Sequence, residues 1–196
     1  MPEESTFSFS AVLKKIYLFF LDTVQTILLA ASVFLVIYIF LFRPFQVSGL
    51  SMFPTFKDKE YILTNLVALR TGPLKRGDVI VFHAPDDKEK DYIKRVIGLP
   101  GEQVFIRDGE VYVNNEKLDE SAYLHGVKTY GGAFLHDGEV VTVPEDSILT
   151  FGDNRPFSSD SRAWGFLKKS EVIGKSFFVY FPFNTARLVK NPFTNK

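Results

Sequence analysis

Charged residues disappear from the chain between Asp22 and Arg43, and the 20 positions from Thr23 to Phe42 read TVQTILLAASVFLVIYIFLF. Wound as a helix at ~1.5 Å per residue, this run reaches about 30 Å, the thickness of a bilayer's hydrocarbon core. A soluble domain made from the rest of the chain could hardly surround a helix that is apolar on every side. A cleaved secretory leader would have a shorter apolar stretch and a small-x-small site after it, whereas this run passes into Arg43-Pro44-Phe45. The pattern predicts an uncleaved transmembrane anchor over 23–42 behind an amino-terminal segment 1–22. Lys14 and Lys15 precede the run and Arg43, Lys57 and Lys59 follow it, so charge bias leaves its orientation open. The acidic start, Glu3-Glu4, is unlike an Arg-rich organelle transit peptide.

From Pro44 the pattern changes to short apolar runs separated by turn signals. Strands rich in Val, Ile, Tyr and Phe are expected at 60–65, 78–82, 92–98, 103–106, 111–113, 139–143, 148–151 and 171–181. Asp108-Gly109 marks a hairpin turn, because both residue types tolerate the positive φ such turns need. No later segment sustains a 3.6-residue apolar period. The expected architecture is mainly β: one N-terminal transmembrane helix, then an antiparallel β-sheet domain over 43–196. Within it, 107–147 reads as a small cap-like β insertion, least regular at 114–137.

Composition narrows the chemistry. Lys plus Arg and Asp plus Glu are each 23, so the net charge is zero, which argues against a nucleic-acid partner held by bulk positive charge. The absence of cysteine excludes disulfides, zinc–thiolate sites and a cysteine nucleophile. His83, His125 and His136 leave little for a metal site, and no metal or cofactor is expected.

Three segments are dense in residues that a plain β domain does not need. The first, Val47 to Thr55, sets Ser51 among Gly49 and Pro54 and by itself reads as a turn. The second, Asp91 to Gly101, puts Lys94 inside an apolar strand. Alternation places Tyr92, Lys94 and Val96 on one face and Ile93, Arg95 and Ile97 on the other. One of the two cations must face inward, or the strand lies at a sheet edge where Lys blunts aggregation. The third, Gly152 to Gly165, packs Asp153, Asn154, Arg155, Ser158, Ser159, Asp160, Ser161, Arg162 and the only tryptophan into one polar loop.

In this order and behind a membrane span, Ser51-Met52-Phe53-Pro54-Thr55, Tyr92-Ile93-Lys94-Arg95 with Gly98-Leu99-Pro100-Gly101, and Gly152-Asp153-Asn154-Arg155 with Ser158-Ser159-Asp160-Ser161-Arg162-Ala163-Trp164-Gly165 resemble the boxes of the type I signal (leader) peptidases. The resemblance implies a membrane-bound Ser/Lys-dyad serine endopeptidase that cuts signal peptides from exported preproteins after an Ala-x-Ala pattern. It implies Ser51 as nucleophile, Lys94 as general base and Ser158 as the hydroxyl that orients the amine. Gly49 stands where some members carry an oxyanion-binding serine, which leaves the second donor open. The structural ion pairs would be Arg95 with Asp153 and Asp160 with Arg162. Phe45, Val47, Met52, Phe56, Tyr92 and Ile93 would line small-residue pockets. The implied partners are preproteins, the lipid bilayer and an export translocon, at a bacterial plasma membrane with the amino terminus inside and the catalytic domain outside.

Physical chemistry sets a condition on that reading. A solvated lysine, with a pKa of ~10.4, is protonated at neutral pH and cannot act as a base, whereas desolvation favours the neutral amine. Tyr92, Ile93, Val96, Met52 and Phe53 are suitable neighbours. Rival readings are a specialised peptidase that matures a conjugation or pilus protein, and a non-catalytic membrane-anchored module that binds export substrates. Self-cleaving repressors share the dyad but carry a DNA-binding domain where this chain has its span. A Ser/His/Asp hydrolase would need one of the scattered histidines.

Overall fold

The computed structural model describes residues 9–194, so Glu3-Glu4 lies outside the described residues. The chain divides after Leu41 into two units. The first holds one helix, α1 (Phe9–Phe40), of 32 residues. At ~1.5 Å per residue it measures about 48 Å, and it takes in Lys14, Lys15 and Asp22 as well as the uncharged run up to Phe40. Thr23, Thr26 and Ser32 donate their hydroxyls to carbonyls one turn earlier, each at 2.8 Å. These three hydroxyls are thus satisfied within the helix, as a hydrocarbon surrounding requires. Its length and composition suffice to cross a membrane. The helix ends before the expected limit at Phe42, which instead opens a strand. Pro44 explains this: it has no N–H to continue the helix, and it disfavours the α conformation at Arg43.

The second unit contains, among the described residues, β1 (Phe42–Gln46), β2 (Tyr61–Asn65), β3 (Val79–His83), β4 (Asp91–Gly98), β5 (Gln103–Arg107), β6 (Glu110–Val113), β7 (Glu116–Lys117), β8 (Val141–Thr142), β9 (Ser147–Phe151), β10 (Leu167–Lys168), β11 (Val172–Phe181) and β12 (Arg187–Leu188). The larger sheet runs β1-β2-β11-β3-β4-β9-β10, with β12 beside β11; the smaller runs β7-β6-β5-β8. All of these strand pairings are antiparallel.

Alternation along β3 builds two cores. Val79 and Val81 join Val47, Met52, Phe56, Ile62 and Val179, while Ile80 and Phe82 join Val96, Ile148, Leu167 and Val172. A third cluster packs Ile97, Leu149 and Phe151 of the large sheet against Val104, Ile106, Val111 and Val113 of the small one. The β5–β6 turn forms at Asp108 and Gly109, with φ of 55° and 79°. The strand expected at 139–143 shrinks to β8, which pairs two residues with β5. Glu139 and Val140 are exposed there, and Pro144, without an N–H, closes the strand.

The choice left open for the lysine strand is resolved. β4 lies between β3 and β9, with Lys94 opposite Ile80 and Arg95 opposite Val79 and Phe151. It is not an edge strand, and both cations are buried.

Candidate active site

Ser51 sits in the loop from β1 to β2. The neck of that loop is closed by Val47 N–H donating to Glu60 O and Lys59 N–H donating to Val47 O, each at 2.8 Å. Gly49 turns the chain at φ +92°, a conformation that side chains disfavour, and its N–H donates to Asp58 Oδ1 at 2.8 Å. The Gly49 amide is therefore engaged by Asp58, and the side chain of a serine is absent at this position.

Lys94 reaches this loop from the middle of β4. Its Nζ lies 2.9 Å from Ser51 Oγ and donates to Ile93 O at 3.0 Å, 5.2 Å from the Tyr92 ring centroid. Only 4% of the residue is exposed. Burial pushes the amine down from its usual 10.5 to about 8, against an opposing pull from the charges of Asp160 and Asp153. An amine so placed is about one-tenth neutral at pH 7 and half neutral near pH 8, within hydrogen-bond reach of the serine hydroxyl.

The polar loop after β9 packs behind this pair. Arg95 grips Asp153 with two hydrogen bonds, Nε to Oδ1 at 2.8 Å and Nη2 to Oδ2 at 2.6 Å. Arg162 holds Asp160 in the same forked way, both bonds at 2.8 Å. Asp160 also accepts from the N–H of Gly152 at 2.9 Å and caps the short helical turn Ser161–Trp164. Asn154 clamps the nucleophile loop: its N–H donates to Ser51 O at 2.9 Å and its Nδ2 to Leu50 O at 3.0 Å. Gly152 is a point of closest approach, since a methyl group there would collide with Ser158 Oγ and stand 2.5 Å from Ser51 O.

Ser158 departs from expectation. Its Oγ is buried against Gly152 without a hydrogen-bond partner, and the lysine amine is engaged by Ser51 and the Ile93 carbonyl instead. A cleft of about 280 Å³ opens beside the dyad, lined by Phe45, Val47, Tyr92 and Ile93 as anticipated, and also by Gln46, Ser48, Ile62, Val81, Asp91 and Ser159. Met52 and Phe56 do not line it. They are 1% and 0% exposed and belong to the core beneath. Phe56 N–H donates to Met52 O at 2.9 Å, a turn that points both side chains inward. No histidine lines the cleft among the described residues; His83 pairs with Asp91 at 3.0 Å.

Sequence reasoning placed Asn154 and Arg155 in the third segment without a role and did not single out Glu120. Arg155 is buried and takes both carboxylate oxygens of Glu120, at 3.1 and 2.5 Å. The contacts of Asn154 are to backbone carbonyls, and Glu120 lies in a segment with no regular pattern, so neither left a periodic signal.

Comparison with known proteins shows the family. Residues 20–181 match the family described as signal peptidase, peptidase S26. The chain belongs to that family. The matched stretch includes both members of the Ser51–Lys94 pair and the whole loop behind them, and the family makes this chain a serine peptidase. Among relatives, signal peptidase IB of Staphylococcus aureus (strain MRSA252) is 34% identical over 189 residues, covering 89% of this chain and 98% of its own. Signal peptidase I of Bacillus amyloliquefaciens is 37% identical over 174 residues, covering 87% and 92%. A crystal structure of a signal peptidase I from Enterococcus faecalis V583 is 34% identical, covers 53% of this chain and 97% of that one, and superposes with a TM-score of 0.44.

Proposed function

We propose that this peptidase removes N-terminal signal peptides from exported preproteins by a Ser/Lys mechanism, cutting after small residues of the Ala-x-Ala kind. The observation that carries the reading is the 2.9 Å approach of a buried lysine amine, held down to about 8, to the Ser51 hydroxyl. Neutral Lys94 takes the hydroxyl proton as Ser51 Oγ attacks the scissile carbonyl. The resulting ammonium returns that proton to the leaving amine as the C–N bond breaks, which leaves an acyl-Ser51. Lys94 then deprotonates the water that hydrolyses the ester. The Ser51 N–H stabilises the developing oxyanion.

Phe45, Val47, Tyr92 and Ile93 line the cleft, and in this reading they select methyl-sized side chains. In this reading α1 is a single anchor in a bacterial plasma membrane, the amino terminus is cytoplasmic, and the domain from 43 onward faces outward. The substrate then arrives with its signal segment already in the bilayer and passes on from the translocon. The test is to incubate the detergent-solubilised protein with an Ala-x-Ala preprotein and sequence the new amino terminus. Ser51→Ala and Lys94→Ala should each abolish the cut, and full activity in Lys94→Ala would remove the assigned base.

A further inference from the structure

The buried ion pair between Arg155 and Glu120 is used by none of the chemistry above, although it ends against the nucleophile. Arg155 is 2% exposed and Glu120 6%. Glu120 lies after β7, in the excursion from the small sheet, and Tyr123 donates its hydroxyl to the same carboxylate at 2.5 Å. Thr129, in the same excursion, accepts from Arg155 Nη1, and its own N–H donates to Gly109 O in the β5–β6 turn. The Nε of the guanidinium donates to Gly152 O at 3.0 Å. Gly152 is the residue packed directly on Ser51 O and Ser158.

Resting on the Ser51/Lys94 reading, we propose that Glu120 and Arg155 form a positioning pair by which the small sheet fixes the nucleophile loop. The forked guanidinium allows this, since one planar group meets a carboxylate with two N–H donors and still offers Nε to a carbonyl. Stability is a weak reason for such a pair, because buried ion pairs roughly break even against apolar replacements. What it supplies is direction. Glu120 is held by Tyr123, Arg155 is held by Glu120, and Gly152 is held by Arg155, so the surface on which Ser51 rests cannot slide. Phe45, Ile62, Val81, Tyr92 and Ile93 of the cleft wall stand on β1, β2, β3 and β4, and only Ser159 comes from the loop of Arg155, so loss of the pair should leave most of substrate binding in place and disturb the attack.

The experiment is steady-state cleavage of a preprotein by the full-length enzyme in detergent, with Arg155→Lys, Glu120→Asp and Ser51→Ala. Arg155→Lys keeps the charge but cannot meet Glu120 and Gly152 O together. It should lower kcat about 10- to 100-fold, the scale of a 1 Å misplacement, with KM within about threefold of the parent. Glu120→Asp, one methylene shorter, should lower kcat in the same sense, and the double variant should lose no more than the worse single one. If Arg155→Lys does not fold, Glu120→Asp decides by the same criterion. A kcat within twofold of the parent, or a loss carried by KM, overturns the proposal. An inactive Ser51→Ala beside such a result confines the failure to the positioning pair, whereas an active Ser51→Ala removes the dyad reading beneath it.

Discussion

Replacing Lys94 with methionine should abolish cleavage and at the same time make the protein more stable. The amine sits at about 8 against an ordinary 10.5 in a residue that is 4% exposed. The gap of about 2.5 pH units, at ~1.4 kcal/mol each, is roughly 3 kcal/mol by which the folded state disfavours the charged form. Below pH 8 the folded and unfolded states both carry the proton, so the whole penalty is present. Between 8 and 10.5 the unfolded chain holds more protons than the folded one, and stability rises with pH. Above 10.5 both states are neutral and the penalty is gone. Methionine has a similar unbranched shape and no charge. Lys94→Met should therefore gain about 3 kcal/mol at pH 7, about half of that near pH 9.3, and almost nothing by pH 10.5. At ~2–4 °C per kcal/mol for a domain of this size, the melting temperature at pH 7 rises by about 6–12 °C. Thermal melts in detergent can follow Trp164, the only tryptophan, whose ring lies 6.0 Å from that of Phe82. A melt that is unchanged or lowered at pH 7, or a gain that stays flat from pH 7 to 10, refutes the claim that the lysine is held under electrostatic penalty.

Three further outcomes follow from the same geometry. The kcat/KM of the parent enzyme should rise about tenfold from pH 7 to pH 9 with a midpoint near 8; a midpoint near 10.5 would mean that the base is solvated. Asp160→Asn removes a charge that holds the Lys94 amine up, and Arg162→Met exposes that charge. The pH–rate midpoint should thus fall in the first variant and rise in the second, whereas general disruption would move both the same way. Gly152→Ala forces a methyl against Ser158 Oγ and Ser51 O and should cut kcat by about 100-fold, measured with the same preprotein; an unaffected kcat would show that the loop has slack.

The long apolar helix and the inward lysine were legible because each violates an ordinary pattern, whereas the meeting of Lys94 with Ser51 was implied by the resemblance. An uncharged 20-residue run is too long for a domain of this size, and a lysine inside an apolar strand demands a reason. Strand β1 was hidden because Phe42 extends the apolar run, and because Pro44 reads as a break. It is tolerated here because β1 lies at the edge of the sheet. Met52 and Phe56 were expected as cleft walls from the family resemblance. A single turn of chain between them, invisible to alternation, rotates both into the core. Glu120 and Arg155 are 35 residues apart; their meeting depends on how the small sheet folds back over the loop, which no local pattern encodes.

The pairing of buried charges explains why Lys94 is left without an ion-pair partner. Among the described residues, the buried carboxylates Glu60, Glu120, Asp153 and Asp160 are taken by Arg187, Arg155, Arg95 and Arg162 respectively. Each arginine meets its carboxylate through a fixed fork, and its guanidinium stays charged at any pH of interest. Lys94 is thereby left as a buried cation facing a hydroxyl and a carbonyl, groups that can hold a neutral amine as well as a charged one. A carboxylate released from any of the nearer pairs would offer the ammonium a partner, raise its pKa and remove the base. The arginines beside the loop thus do more than hold it in place: by occupying the acids, they keep the amine at position 94 without a counter-charge, and the loop that orients Ser51 is also the one that withholds anions from Lys94.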